Sequence, residues 1–285
     1  MGDSPVISRL FGGAGNQLFQ YAAGRALADH LGCDLVLDSR YVAGSQNRGD
    51  CFEHFSNARI VRDATLPPAK SDGMLRYALW RTFGHSPRLY REKAQVFDPA
   101  LLAQPPDTYL HGYWQSERYF AAIIDQLRID LTFTTPLDPA NAAMAAQIKA
   151  AKTPVSFHVR RGDYMASGAY AACPPEYYRA AAAHLAGTLG PLSCFVFSND
   201  PAWARDNLDL DHDTVVVDIN DETTGHFDLH LQSLCAHHVI ANSTFSWWAA
   251  WLNPSPAKQV IAPRHWFVKG QPDNPDLIPA SWTRL

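Results

Sequence analysis

Two adjacent arginines, Arg160 and Arg161, close the apolar, β-branched run "VSFHV" at residues 155–159. A planar guanidinium forms paired hydrogen bonds to phosphate oxygens that an ammonium cannot reproduce. Two such groups at a strand end suit an anionic ligand, above all a phosphate ester. Strand alternation sends neighbouring side chains to opposite faces, so one of the pair can grip a ligand while the other bridges a carboxylate. Arg160 is the expected phosphate ligand, although the pattern alone does not separate it from Arg161. A second stretch, "ANSTFSWWAAWL", sets Asn242, Ser243 and Thr244 before an aromatic helix. Small polar residues cap helices there, but the free amides and the helix dipole also make an anion site. Two phosphate-friendly elements in one region suggest a diphosphate.

Other stretches invite chemistry less strongly. In "FGGAGNQLFQ", Gly13 and Gly15 begin a dinucleotide fingerprint, yet Leu18 stands where its third glycine belongs. Asn16 and Gln17 open the following helix, where amides either cap it or face a crevice at the strand end. Asp209, Asp211 and Asp213 have a spacing that can hold a divalent ion. His226 and His230 lie one helical turn apart, as zinc ligands do. No glutamate sits between them as in HExxH, and the aspartates read as a solvated turn, so no metal is expected.

These residues need a scaffold. "PVISRLFGG", "NQLFQYAAGRALADHLG" and "CDLVLD" read as strand, helix and strand, and residues 41–110 are broken by prolines. "SERYFAAIIDQLRIDL" reads as helical, and an Ala-rich helix closes the first half. The second half alternates strand and helix: "TPVSFHVR", "PPEYYRAAAAHLAG", "LSCFVFSND", "PAWARDNL", "TVVVDIN", "HFDLHLQSLCA", "HHVIAN", "STFSWWAAWL" and "KQVIAP". Alternation of this kind predicts an open parallel sheet covered on both faces, with ligands beyond the carboxyl ends of its strands. The expected domains are 1–150 and 151–285.

Composition sets outer limits. The 285 residues are 47% hydrophobic and 18% charged, which is ordinary for a folded chain and far from disorder. A net charge of −4 argues against general nucleic-acid binding. Five scattered cysteines without a CxxC pair suggest neither a disulfide framework nor a zinc ribbon. No signal-peptide pattern or membrane-span length of apolar sequence is visible, so a cytoplasmic location with at most peripheral membrane contact is expected.

The stretches "GGAGNQLFQYAAGRALA", "GYWQSERYF" (112–120), "HVRRGDY", "FSND" (197–200) and "DLHLQSLCAHHVIANSTFSWWAAWLN" together resemble the α-1,2-fucosyltransferases of glycosyltransferase family 11, in their short bacterial form. The family's order is kept, and the likeness spans most of the chain. One departure is Ala14, where the family more usually has Leu. The resemblance implies an α/β, GT-B-like fold of two Rossmann-type domains facing an interdomain cleft. It implies GDP-fucose as donor, a galactoside-containing oligosaccharide or lipid-linked glycan as acceptor, inversion at the anomeric carbon, and no metal or other cofactor. In that frame Arg160, with Arg161 beside it, binds the diphosphate, and Asn242, Ser243, Thr244 and the Phe245 amide hold it from the other side. His158 reaches the ribose, Asp218 or Asn220 reads guanine, and Asn199 of "FSND" joins the donor set. Asp163 is the first candidate for the base, with Glu53, Asp228 and Glu117 behind it. Asn16 and Gln17 are expected near fucose or acceptor, and Tyr113, Trp114 and Gln115 as a sugar platform. The alternatives are a binding protein of the same fold without transferase activity and an NAD-type oxidoreductase.

Overall fold

The computed structural model describes residues 4–42, 50–55, 57–61, 65–84, 86–161, 172–267 and 273–285. The chain divides into two units, residues 1–132 and 133–285.

The first unit is built on β1 (Val6–Arg9), α1 (Ala14–Leu31), β2 (Leu35–Asp38), α2 (Met74–Phe83), β3 (Arg88–Arg91), β4 (Thr108–His111) and α3 (Ile124–Asp130). Its strands form a parallel sheet in the order β2-β1-β4-β3. Helix α1 ends at Gly32, whose φ of 67° suits a residue without a Cβ. Midway along it, Gly24 lets the helix lie on the sheet, because a Cβ there would stand 2.9 Å from Leu35 Cδ1 and 3.0 Å from Ser8 Cβ. The helix is buried nearly all round, Arg25 included. That charge is matched by the buried Asp130 at 3.0 Å, which also accepts from Tyr21 and Gln126.

Two stretches depart from the sequence reading. The proline-broken span contains β3 and β4, each only four residues long, and α2, whose apolar residues lie on both its inward and outward sides and so give no single apolar stripe. "SERYFAAIIDQLRIDL" is not one helix: 3-10 turns at Glu117–Tyr119 and Ala121–Ile123 precede α3. Ser116 caps the first turn with its hydroxyl, and Tyr119 is drawn into the core, where its hydroxyl contacts the backbone at Val96 and Asp98.

The second unit runs α4 (Pro139–Ala150), β5 (Pro154–Val159), α5 (Pro175–Leu189), β6 (Ser193–Ser198), α6 (Pro201–Asn207), β7 (Asp213–Val217), α7 (Gly225–Ser233), β8 (His237–Val239), α8 (Thr244–Leu252), β9 (Val260–Ala262) and β10 (Thr283–Arg284). The sheet is parallel, in the order β10-β9-β8-β5-β6-β7. The inner strands β5, β6, β8 and β9 are buried on both faces, which is why they read as apolar runs, while the edges β7 and β10 are partly exposed. Val155, Phe157 and Val159 of β5 and Cys194 and Val196 of β6 pack on α5. Phe195, Phe197 and Val217 meet Ala145 and Ile148 of α4 and Leu231 of α7. Helix α4 therefore buries its apolar stripe in this unit, and the division falls ahead of it, at Thr132/Phe133 and not after residue 150.

Chain order supplies the functional geography. From β5 the chain steps outward through β6 to β7, then returns to place β8 on the other side of β5. The connections thus diverge between β5 and β8. In open α/β sheets this switch point opens a crevice at the carboxyl ends of the two strands.

Candidate functional site

The carboxyl ends of β8, β5, β6 and β7 are neighbours in the sheet. They carry, in that order, Asn242 to Phe245, His158 to Arg161, Asn199, and Asp218 with Asn220. Residues scattered over 63 positions of sequence, from His158 to Asn220, and a further block at 242–245, are thereby brought to one sheet edge.

At the switch point, β5 delivers His158 and Arg160 while β8 leads through Asn242 and Ser243 into α8. The His158 and Phe245 rings lie 5.6 Å apart between centroids. The imidazole is buried, and its Nδ1 has no hydrogen-bond partner among the described residues. Burial first, then the neighbouring Arg160 charge, push its pKa down to about 3, so the ring is neutral. Tyr178 donates to the His158 carbonyl at 3.1 Å and fixes the strand end.

The two arginines part company. Arg161 Nε lies 3.4 Å from Asp200 Oδ2, its guanidinium carbon is 3.9 Å from the Trp203 ring centroid, and its N–H donates to Asn199 Oδ1 at 2.9 Å. It therefore belongs to the α6 side of the sheet. Carrying the two-residue alternation of β5 one step further sets Arg160 on the opposite side with His158, towards α8. Asp200 and Trp203 escaped the sequence reading. Their signal is the Asp-Pro start of α6, where the Asp200 carboxylate accepts the Trp203 N–H at 3.1 Å as a helix cap.

Helix α8 opens at Ser243, which makes no side-chain cap for it. Asn242 spends its side chain inward: Nδ2 donates to Trp266 O at 2.9 Å, and Oδ1 takes Cys173 Sγ at 3.7 Å. It shapes the turn that presents Ser243 and the first amides of α8. Further along the edge, Asp218 pairs with Arg205 at 2.7 Å. Asn220 is tied to Asn141 and donates to Asp228 Oδ1 at 2.7 Å. Burial holds Asp228 up to about 6 against that hydrogen bond.

The first unit has its own constellation after β1. Gly12 (φ 80°) lets the turn approach Asn16, whose Nδ2 would lie 2.6 Å from a Cβ at that position. Gln115 donates to Asn16 Oδ1 at 2.9 Å, so the two expected amides do meet. Gln17 is fully buried, donating to Gly12 O and accepting from Cys51 N. Gln20, missed in the sequence, clamps Phe11 with an amide that both accepts and donates. Trp114 is a core residue, fully buried between Tyr90 and Tyr119, and not a sugar platform. Tyr113 is partly exposed against Phe11, 4.7 Å away. Of the other carboxylates, Glu53 is exposed beside His54 and Glu117 sits in a 3-10 turn. Asp163 lies outside the described residues. The Asp209–Asp213 run forms a turn into β7, with Asp211 at φ 56° and its N–H on Asp209. His230 stacks on Phe133 at 4.5 Å, and His226 lies 4.2 Å from Phe227.

Two parallel α/β units with an expected anion site at a switch point describe a GT-B-type glycosyltransferase fold. Solved structures agree: fucosyltransferase NodZ from Bradyrhizobium matches with a TM-score of 0.55 at 18% identity over 89% of this chain and 95% of that one. Arabidopsis thaliana FUT1 in complex with GDP matches with a TM-score of 0.53 at 12% identity over 91% and 70%. A model of glycosyl transferase family 11 matches residues 94–269, and the chain belongs to that family. Similar curated proteins include an alpha-1,2-colitosyltransferase of Escherichia coli, 29% identical over 99% of each chain. The O-antigen biosynthesis glycosyltransferase WbnK of Escherichia coli is 29% identical over 98% of this chain and 100% of its own length. Galactoside alpha-(1,2)-fucosyltransferase 1 of Pan troglodytes is 26% identical over 84% of this chain and 62% of its own.

Proposed function

We propose that the protein is an inverting α-1,2-fucosyltransferase that moves fucose from GDP-β-L-fucose to the 2-hydroxyl of a terminal β-galactose on a bacterial surface glycan. The observation that supports this reading is the adjacency of β5 and β8 at the switch point, which sets the strand end carrying Arg160 beside the turn into α8. A diphosphate leaving group develops negative charge as the glycosidic bond lengthens. Arg160 and the amides behind Ser243 meet that charge, in the part a divalent ion takes elsewhere. The acceptor oxygen bonds to the anomeric carbon, the bond to the diphosphate oxygen breaks, and the hydroxyl proton passes to a carboxylate. Asp163, three residues beyond Arg160 in sequence, is assigned that proton. His158, neutral and largely buried at the strand end, offers the donor a ring-nitrogen hydrogen bond and no charge.

The test is to incubate the purified chain with GDP-fucose and lactose, with and without EDTA. Fucosylated product in both arms is the expected result. GDP release without product reduces the reading to a hydrolase, and absence of a thermal shift with GDP sinks the donor. A second reading rests on the colitosyltransferase likeness over the whole chain. Colitose is fucose without its 3-hydroxyl, so GDP-colitose belongs in the same assay, and the preferred sugar is the one with the higher kcat/KM.

A further inference from the structure

Helix α2 points to a second surface with a different partner. Its inward side is Tyr77, which is buried, and Trp80, whose ring packs 5.2 Å from Tyr109 and whose Nε1 donates to Pro87 O. The remainder of the helix is exposed: Met74 by 64%, Leu75 by 74%, Leu79 by 51% and Phe83 by 69%. Large apolar side chains exposed together mark an interaction surface, whereas single ones need no explanation.

Their arrangement says which kind. At ~100° per residue, counted from Met74, the positions of Ala78, Thr82, Leu75, Leu79 and Phe83 fill an arc up to about 180°. Trp80 and Tyr77 lie at about 240° and 300° on the same count. Arg76 and Arg81 fall at about 200° and 340°, one on each border between the outward apolar arc and the inward side. Arginines flanking an apolar face can leave their heads in the phosphate layer while their stems lie on hydrocarbon.

The charge continues onto β3, the edge strand, where Arg88 and Arg91 are exposed. Residues 74–91 hold these four arginines and no aspartate or glutamate, within a chain of net charge −4. The adjoining carboxylates are occupied. Asp72 takes the Ala69 N–H at 2.7 Å and lies in the field of Arg40 and Arg76. Glu92 accepts the N–H groups of Tyr113 and Trp114.

We infer that the outward face of α2, with its rim of Arg76, Arg81, Arg88 and Arg91, docks the protein on an anionic lipid bilayer surface. The inference stands apart from the donor assignment, since it rests on different residues. It describes attachment only: among the described residues no helix is long and apolar enough to cross a membrane.

The experiment is co-sedimentation of the full chain with vesicles of phosphatidylglycerol and phosphatidylethanolamine, beside pure phosphatidylcholine vesicles, at low and high salt. Binding to the anionic vesicles alone, weakened by salt, is expected. An Arg76→Gln/Arg81→Gln chain should bind about 25-fold more weakly, at about fivefold per arginine. Leu75→Glu/Leu79→Glu should lose at least about tenfold. In both variants transfer or GDP binding in solution stays unchanged, which also reports that the chain has folded. Equal binding to both lipids, or unchanged binding by both variants, overturns the inference. So does a wild type that ignores vesicles but is a dimer that the leucine variant splits, because a second copy then covers the face. Should a variant fail to fold, the lipid comparison with the wild type still decides.

Discussion

The rings of His158 and Phe245, 5.6 Å apart, join the end of β5 to the first turn of α8. One residue supplies a buried nitrogen, the other the amide that opens a helix. His158→Phe keeps an aromatic ring beside Phe245 and removes both ring nitrogens. Loss of one neutral hydrogen bond, worth about 0.5–1.5 kcal/mol, should weaken GDP about two- to thirteenfold by titration calorimetry. The melting temperature should hold or rise, because a buried polar atom without a protein partner has gone. Unchanged GDP affinity would remove His158 from the donor site.

Arg160 and Arg161 should separate cleanly in activity. Arg160→Ala removes paired, charge-assisted hydrogen bonds to the diphosphate, each worth about 1.5–3 kcal/mol. Transfer should fall at least about 100-fold, and Arg160→Lys should recover only part of it. Arg161→Ala loses a partly exposed ion pair and a stack on Trp203, together about 1–2 kcal/mol of stability. Its transfer rate should stay within about tenfold of wild type. Steady-state kinetics beside urea unfolding tests both, and the reverse ranking would reassign the phosphate ligand.

Why the sequence could mark the two strand ends but not their wiring follows from the range of each signal. Strand alternation and helix starts are local, so "VSFHVRR" and "ANSTFSWW" announced their strand ends from a few residues. That Arg161 meets Asp200 and Trp203, while Asn242 turns inward to Trp266, depends on which strands adjoin, and no local pattern carries that. Trp114 shows the same limit. An aromatic beside a glutamine reads as a sugar platform, but its φ of 56° and full burial belong to the core. In the first unit β3 and β4 hid among prolines, being only four residues long, and the ten-residue α2 hid because its apolar side chains lie on the outward side as well as the inward one.

Stability should fall as the solution is acidified below about pH 6.5. Burial keeps His158 down to about 3 and His238 well below its ordinary value, so only the unfolded chain takes up those protons. Each contributes a loss approaching about 1.4 kcal/mol per pH unit below the unfolded value. His111, lowered to about 4 chiefly by burial, acts in the same direction. Asp228 opposes them: raised to about 6, it binds its proton in the folded state first and returns stability between about pH 6 and 4. The histidines outnumber it, so urea midpoints should drop steadily from pH 6.5 to 4.5, and more steeply in Asp228→Asn. A flat profile would contradict the buried neutral histidines.

The buried pair of Arg25 and Asp130 gives a stability test within the first unit. Asp130 accepts from Arg25 Nε at 3.0 Å, Tyr21 at 2.9 Å and Gln126 at 2.7 Å. Removing one partner of a buried pair strands the other, at about 3–5 kcal/mol. Asp130→Leu should therefore lower the unfolding free energy by that amount, and Tyr21→Phe by only about 1 kcal/mol. The double change Arg25→Met/Asp130→Leu should recover much of the loss, because desolvating two charges offsets most of their attraction. If the double variant is as unstable as the sum of the single ones, α1 and α3 depend on the ion pair itself and not on filling its volume.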